Sequence, residues 1–353
     1  MLKLIFVVLA LVFVTSLSYG QELICRMTCR ASASISNSNI HQIRSGGLDP
    51  PAATEIRWHE TDPIFVMLGH EREEITLRRE LLLAKLTEEG DYFRGTNRRP
   101  PRSESFQQLE LARDTIIVGT NTGRLMFWDL WTEEFLHEFQ VSERPVSELL
   151  LHPSGDWLLV AIDPSRLFRF DLASQSVAEI RWPGDRGQSL QNLAISEDGY
   201  LLAAYGDGAL RIWTIASWDA WEPAALSYES VADLLFTKDD SQLLVLSDAT
   251  VSRWSLHGNS LHFVRQLEPA DGKRECLIAD GDISPDDSLL MTTDDCWQLR
   301  AWDLDTDEEI FVPQLDSASD DRPGTAILFS PDGRYFISAA YSIWEMFFIE
   351  EQL

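Results

Sequence analysis

The chain has 353 residues, 44% of them hydrophobic, with 57 acidic against 29 basic side chains and a formal net charge of -28. A surface that negative repels phosphate backbones, which excludes nucleic acid as a general partner. Twelve tryptophans are ample for a substantial core, and the length suits one large all-β domain or two ordinary ones.

The first twenty residues, MLKLIFVVLALVFVTSLSYG, place Lys3 before an apolar run from Leu4 to Val14 and end in Ser18-Tyr19-Gly20. That order is a secretory signal peptide cut after Gly20. The run is shorter than the roughly 20 residues needed to span a bilayer. Counting Thr15 to Tyr19 into it gives the alternative, an uncleaved anchor that would hold the rest of the chain at a membrane. Residues 21–36 form an N-terminal tail carrying Cys25 and Cys29, while Cys276 and Cys296 lie twenty residues apart near the other end. Export predicts an oxidising compartment and two local disulfides, Cys25–Cys29 and Cys276–Cys296, against the alternative of four free thiols. Neither pair has CxxC spacing or a nearby histidine pair, so no metal site is expected.

From residue 37 onward one pattern recurs. Its first candidate is TEIRWHETDPIFVMLGHEREEITLRRE, with strands near Glu55–His59 and Ile64–Leu68. The third segment, EEITLRRELLLAKLTEEG, has Ile75, Leu82 and Leu86 at helical spacing, yet a strand is expected from its place in the pattern. The following DYFRGTNRRPPRSES reads as an exposed loop whose Arg94, Arg98, Arg99 and Arg102 are the only basic cluster. The pattern then returns around Trp128, Phe170, Trp213, Trp254, Trp302 and Phe347, at intervals of 41 to 48 residues. Before each aromatic come an apolar run, a turn, a second run, and a tighter turn. The first turns are Pro153-Ser154-Gly155, Glu197-Asp198-Gly199, Lys238-Asp239-Asp240, Pro285-Asp286-Asp287 and Pro331-Asp332-Gly333. The second turns include Asn121-Thr122-Gly123, Asp207-Gly208 and Asp248-Ala249. A fourth strand fits after each aromatic, as in EEFLHEF from Glu133 to Phe139.

Four short antiparallel strands at this period make a propeller blade. One blade alone cannot bury both faces, so blades must stack around an axis with the third-strand aromatics filling the gaps. The units resemble WD repeats, with Trp128-Asp129-Leu130, Phe170-Asp171-Leu172 and Trp302-Asp303-Leu304 at the dipeptide position. Asp207 and Asp248 stand six residues before Trp213 and Trp254, where the family's structural aspartate sits. Trp213 is followed by Thr214 and Trp254 by Ser255, and no Gly-His pair precedes the first strands, so the family's His-Ser-Asp-Trp network is incomplete. The expectation is an all-β, seven-bladed β-propeller over residues 37–353. After Phe347-Phe348-Ile349 too few residues remain for a fourth strand, so SNIHQIRSG (Ser38 to Gly46) is expected to complete the last blade.

No nucleophile elbow, HExxH or phosphate loop is present. The seven histidines are scattered, and DGDISPDD (Asp280 to Asp287) fits a strand and turn better than a calcium loop. Segments such as LELA, LLLH, LAIS and LLFT make the first strands look mostly apolar, which argues against chemistry on the axis. Aromatics outside the anchor positions, Trp182, Trp218, Trp221 and Trp297, are the candidates for partner binding. Cys276, Cys296, Trp182 and Trp297 are expected on one face. The expected function is an exported, non-enzymatic scaffold for a protein or peptide partner with a basic face, needing no cofactor. The alternative is a propeller hydrolase or cofactor enzyme with its site in the central channel. Nothing in the sequence fixes an oligomeric state.

Overall fold

The structure, a computed structural model, describes residues 40–47, 53–60, 64–73, 76–85, 92–95, 104–162, 166–180, 190–226, 231–269, 276–296, 298–311, 326–339 and 343–349. The proposed signal segment, Cys25, Cys29, Trp182 and Trp297 lie outside the described residues.

Strand β1 (Ile40–Gly47) precedes a sheet of β2 (Ala53–Trp58), β3 (Ile64–Glu73), β4 (Thr76–Lys85) and β5 (Tyr92–Gly95), paired in chain order. The next sheet is β6 (Phe106–Ala112), β7 (Thr115–Thr120), β8 (Arg124–Asp129) and β9 (Phe135–Gln140). It is followed by β10 (Val146–Leu151), β11 (Trp157–Ile162), β12 (Arg166–Asp171) and β13 (Ser176–Ile180). Then come β14 (Gln191–Ile195), β15 (Leu201–Gly206), β16 (Ala209–Thr214) and β17 (Asp219–Ala220), with β18 (Ala224–Ala225) also on β16. Strands β19 (Val231–Phe236), β20 (Gln242–Ser247), β21 (Thr250–His257) and β22 (Ser260–Leu267) form another sheet. So do β23 (Ile278–Ile283), β24 (Leu289–Asp294), β25 (Leu299–Asp303) and β26 (Glu308–Phe311). Finally β27 (Ala326–Phe329), β28 (Tyr335–Ala339) and β29 (Ile343–Ile349) pair in order, and β1 lies antiparallel to β29 from Ile40↔Ile349 to Gly47↔Ile343. All pairings are antiparallel, and the first strands β2, β6, β10, β14, β19, β23 and β27 together surround a central cavity.

Residues 76–85 are a strand, as their place in the pattern requires. Ten consecutive pairings to β3 outweigh the helical spacing of three apolar side chains. The loop expectation fails at its start, because Tyr92 to Gly95, Arg94 included, pair with β4 as an outer strand. Arg98, Arg99 and Arg102 lie outside the described residues.

The aromatics lie where sheets meet. Trp213 is buried with Trp157, Leu159 and Leu167 of the preceding sheet, and Trp302 with Leu244, Leu246 and Val251 of the one before it. Phe170 and Trp128 fill the corresponding seams with Leu125 and Val66. Trp254 is only half-buried and meets Phe263 edge-on, with ring centroids 5.4 Å apart. The side chain of Phe347 lies outside the described residues. Burying an aromatic of 150–250 Å2 is worth several kcal/mol at about 25 cal/mol per Å2 before entropy is charged, so these seams carry much of the stability.

Polar side chains fix the turns. In the first turns Ser196, Thr237, Ser284 and Ser330 donate to Asp198, Asp239, Asp286 and Asp332 over 2.6–2.7 Å. The same hydroxyls accept the N–H of Leu201, Gln242, Leu289 and Tyr335 five residues on. This hydroxyl, two positions before the aspartate, lies outside the turn triplets picked out in the sequence. The aspartates of the Trp-Asp and Phe-Asp dipeptides cap the turn into the fourth strand. Asp129 accepts from the N–H of Trp131 and Thr132, Asp171 from Ser174, and Asp303 from Asp305 and Thr306. Those donors hold the Asp129 and Asp171 carboxyls below the usual range. Asp207 and Gly208 both take positive φ between β15 and β16, the geometry of a two-residue type I′ hairpin. Asp248 also has positive φ, and its carbonyl accepts Ile278 N–H from the next sheet at 2.6 Å. Trp302 Nε1 donates to Thr292 Oγ1 at 3.1 Å, whereas Trp254 Nε1 has no partner among the described residues.

Candidate functional site

The cavity on the axis has a volume of about 410 Å3, and its lining corrects the expectation that the first strands turn apolar faces to the channel. Each first strand from β2 to β23 has an irregularity near its start, where one extra residue shifts the register to the second strand. Gln108, Glu148, Asp233 and Asp280 come directly after it and face the cavity, with Asn192 beside them. Because side chains alternate along a strand, Asp282 also faces the cavity. Gly281, between the two aspartates, faces Leu246 of the neighbouring sheet; a Cβ there would stand 2.4 Å from its Cδ2.

These carboxylates also bind backbone. Glu148 Oε1 accepts Leu193 N–H at 2.8 Å, Asp280 Oδ2 accepts Ile327 N–H at 2.8 Å, and Asp282 Oδ2 accepts Phe329 N–H at 2.7 Å. Glu110 accepts Leu151 N–H in the same manner, and each bond reaches from one sheet to the first strand of the next. Asp233 differs, since its bond goes to Leu234 of its own strand. Among the described residues two cations reach the site and both are engaged, Arg57 with Glu110 at 3.1 Å and Lys238 with Glu197 at 3.2 Å. Enclosure in the channel pushes the Asp233 carboxyl up to about 7, with Glu148 and Asp282 adding like-charge repulsion. It pushes Asp282 up to about 6, and Asp280 well above the ordinary carboxylate range. The wall therefore offers hydrogen-bond acceptors and negative charge to whatever enters, and donors wherever a carboxyl is protonated.

The sequence-derived candidates lie elsewhere. Trp218 and Trp221 are half-buried, and their rings pack on the cores around Trp213 and Leu210. Among the described residues the large apolar side chains that stand out are Trp131, Phe135 and Leu136 by β9, Val177 on β13, Tyr200 after a first turn, Phe263 and Val264 on β22, and Leu277 before β23. Cys276 and Cys296 are joined in a disulfide that ties the start of β23 to the turn between β24 and β25. Asp294 lies beside them, but a disulfide leaves no thiolate to complete a metal site. In the acidic stretch that tempts a calcium reading, Asp286 caps its own turn through Ser284 and Ser288, and Asp287 binds backbone of the preceding sheet. His257 and His262 are exposed. No helix among the described residues is long and apolar enough to cross a membrane.

No family model matches the chain, and no curated protein matches it. Among solved structures it is similar to the β-propeller domain of Cps50 (Swd1) from Myceliophteria thermophila, with a TM-score of 0.67 at 13% identity. The match covers 85% of this chain and 98% of that domain. At that identity the likeness establishes the propeller fold alone.

Proposed function

We propose that the chain is an exported, non-enzymatic propeller of seven blades, the last completed by β1, that serves as a scaffold for a protein or peptide partner with a basic face. The observation that carries this reading is the channel wall. Glu148, Asp233, Asp280 and Asp282 gather around one cavity on a molecule of net charge -28, and its two cations are already engaged. A field of one sign in a concave site steers and orients a partner of the opposite sign. Export is supported by the Cys276–Cys296 disulfide, the chemistry of an oxidising compartment, and by the order of residues 1–20. N-terminal sequencing of the mature protein should begin at Gln21; retention of residue 1 would favour a membrane anchor.

The test of the scaffold reading is binding of a lysine-rich and a glutamate-rich peptide over a salt series. The lysine-rich peptide should bind with an affinity that falls with salt and weakens in a Glu148→Gln, Asp233→Asn double variant. Equal binding of both peptides, or an unaffected variant, overturns it.

A second reading, chemistry in the channel, draws support from the same convergence of carboxylates on the axis. Weighing against it, Glu110, Glu148, Asp280 and Asp282 each hold a backbone N–H of the next sheet, and among the described residues no histidine or cysteine lines the cavity. Hydrolysis of a panel of ester and glycoside substrates, abolished by Asp233→Asn, would turn the choice the other way.

A further inference from the structure

We propose that Asp233, Asp280 and Asp282 form a proton-loaded element in the channel wall, tightening the contact between β19 and β23 in mildly acidic conditions and relaxing it as pH rises toward neutrality. The geometry is that of neighbouring inner strands. Asp233 comes from β19 and Asp280 and Asp282 from β23, all three half-buried and lining one cavity. None of the three takes part in an ion pair among the described residues.

The groups facing them are mostly of the same sign. Glu148 on β10 is a carboxylate, Glu197 stands in the turn after β14, and Glu110 on β6 lies behind Arg57. From β27 only Ala326, Ile327 and Leu328 line the cavity. The cations are Arg57 on β2, held by Glu110, and Lys238 after β19, held by Glu197. Three further negative charges around one cavity would repel one another and Glu148, and each proton retained removes one of them.

The direction of the pH effect follows from where the protons go. Below about pH 4 folded and unfolded chains both carry the protons. As pH rises from there, the unfolded chain releases them while the folded channel keeps them, so stability falls. The fall continues until Asp282 and Asp233 ionise in the folded protein, at about 6 and about 7. Each retained proton makes the folded-to-unfolded ratio fall roughly tenfold per pH unit inside that window.

The experiment is denaturant unfolding of the full chain between pH 4 and 8, for the wild type, Asp233→Asn, Asp280→Asn and the exposed control Glu143→Gln. Both channel variants should lose part of the decline seen between pH 4 and 7. The control, with the same change in net charge, should keep it. Equal slopes in the control and both channel variants overturn the proposal. Should the channel variants fail to fold, infrared spectroscopy of the wild type decides. A protonated carboxylic-acid band that persists at about pH 6.5, where ordinary carboxyls are ionised, and fades by about pH 8 supports the element, and no such band at about pH 6.5 overturns it.

Discussion

Asp240 grips the backbone of Glu197 across a sheet boundary: its Oδ1 accepts Glu197 N–H at 2.7 Å, while Oδ2 accepts the adjacent Asp198 N–H at 2.9 Å. Asp287 repeats the grip on Lys238 and Asp239 at 2.6 and 3.0 Å. Both aspartates have positive φ, at a turn position where Gly199 and Gly333 stand in other sheets. Backbone preference alone would favour glycine there. Asp240→Gly and Asp287→Gly should nevertheless each destabilise by about 1–2 kcal/mol in denaturant titrations, because charge-assisted bonds to two amides are lost. The two grips share the Lys238-Asp239-Asp240 turn, so a double-mutant cycle should show coupling between them. A stabilising glycine at either position would show that the grip contributes nothing.

The indoles of Trp302 and Trp254 occupy equivalent third-strand positions with different surroundings. Trp302 is buried and donates to Thr292, while Trp254 is half-buried with its Nε1 unpaired among the described residues. Trp302→Phe should therefore cost about 1 kcal/mol more than Trp254→Phe, the difference being the hydrogen bond and the stranded Thr292 hydroxyl. Unfolding midpoints of the two variants provide the comparison.

Removing the disulfide as Cys276→Ser with Cys296→Ser reopens a loop of some twenty residues. The entropy of closing such a loop predicts a loss of roughly 3 kcal/mol, measurable by denaturant unfolding. A reducing agent should bring the wild type down to the same stability and leave the variant unmoved.

Gly281 faces the seam between β23 and β20. Its Cβ position lies 2.4 Å from Leu246 Cδ2 and 3.0 Å from the Met291 carbonyl oxygen. Gly281→Ala should cost about 1–3 kcal/mol through overpacking. Adding Leu246→Val should recover part of that cost, a coupling that a double-mutant cycle on unfolding free energies detects.

The blade pattern was legible because turn chemistry and aromatic spacing are local signals. Asp207-Gly208 dictates a hairpin wherever it stands between apolar runs, and Cys276 and Cys296 fall before the first strand and at the second turn of one repeat. The channel was not legible, for a physical reason. Average strand character hides a face made of every second residue, and LLLH and LLFT begin one position after Glu148 and Asp233. The extra residue near the start of each first strand from β2 to β23 restarts the alternation, so the inward phase cannot be counted from the preceding loop. Asp280 and Asp282 were visible in the acidic stretch, yet its turn chemistry, which belongs to Asp286 and Asp287, dominated how that stretch reads. Trp218 and Trp221 stand in a loop and are half-buried, their rings packing on neighbouring cores.

The links between sheets run in opposite directions at two levels. Inner-strand carboxylates such as Glu148 and Asp280 reach forward to the following sheet, whereas Asp240 and Asp287 reach back to the preceding one. Repeat arrays joined only by nearest-neighbour packing can melt piecemeal, fraying from a weak unit. Here each unit in this part of the molecule is braced from both sides, so loss of one exposes unpaired amides and carboxylates on both flanks. Calorimetric and spectroscopic melting curves should then coincide in a single transition, and deleting one repeat should abolish folding instead of yielding a smaller wheel.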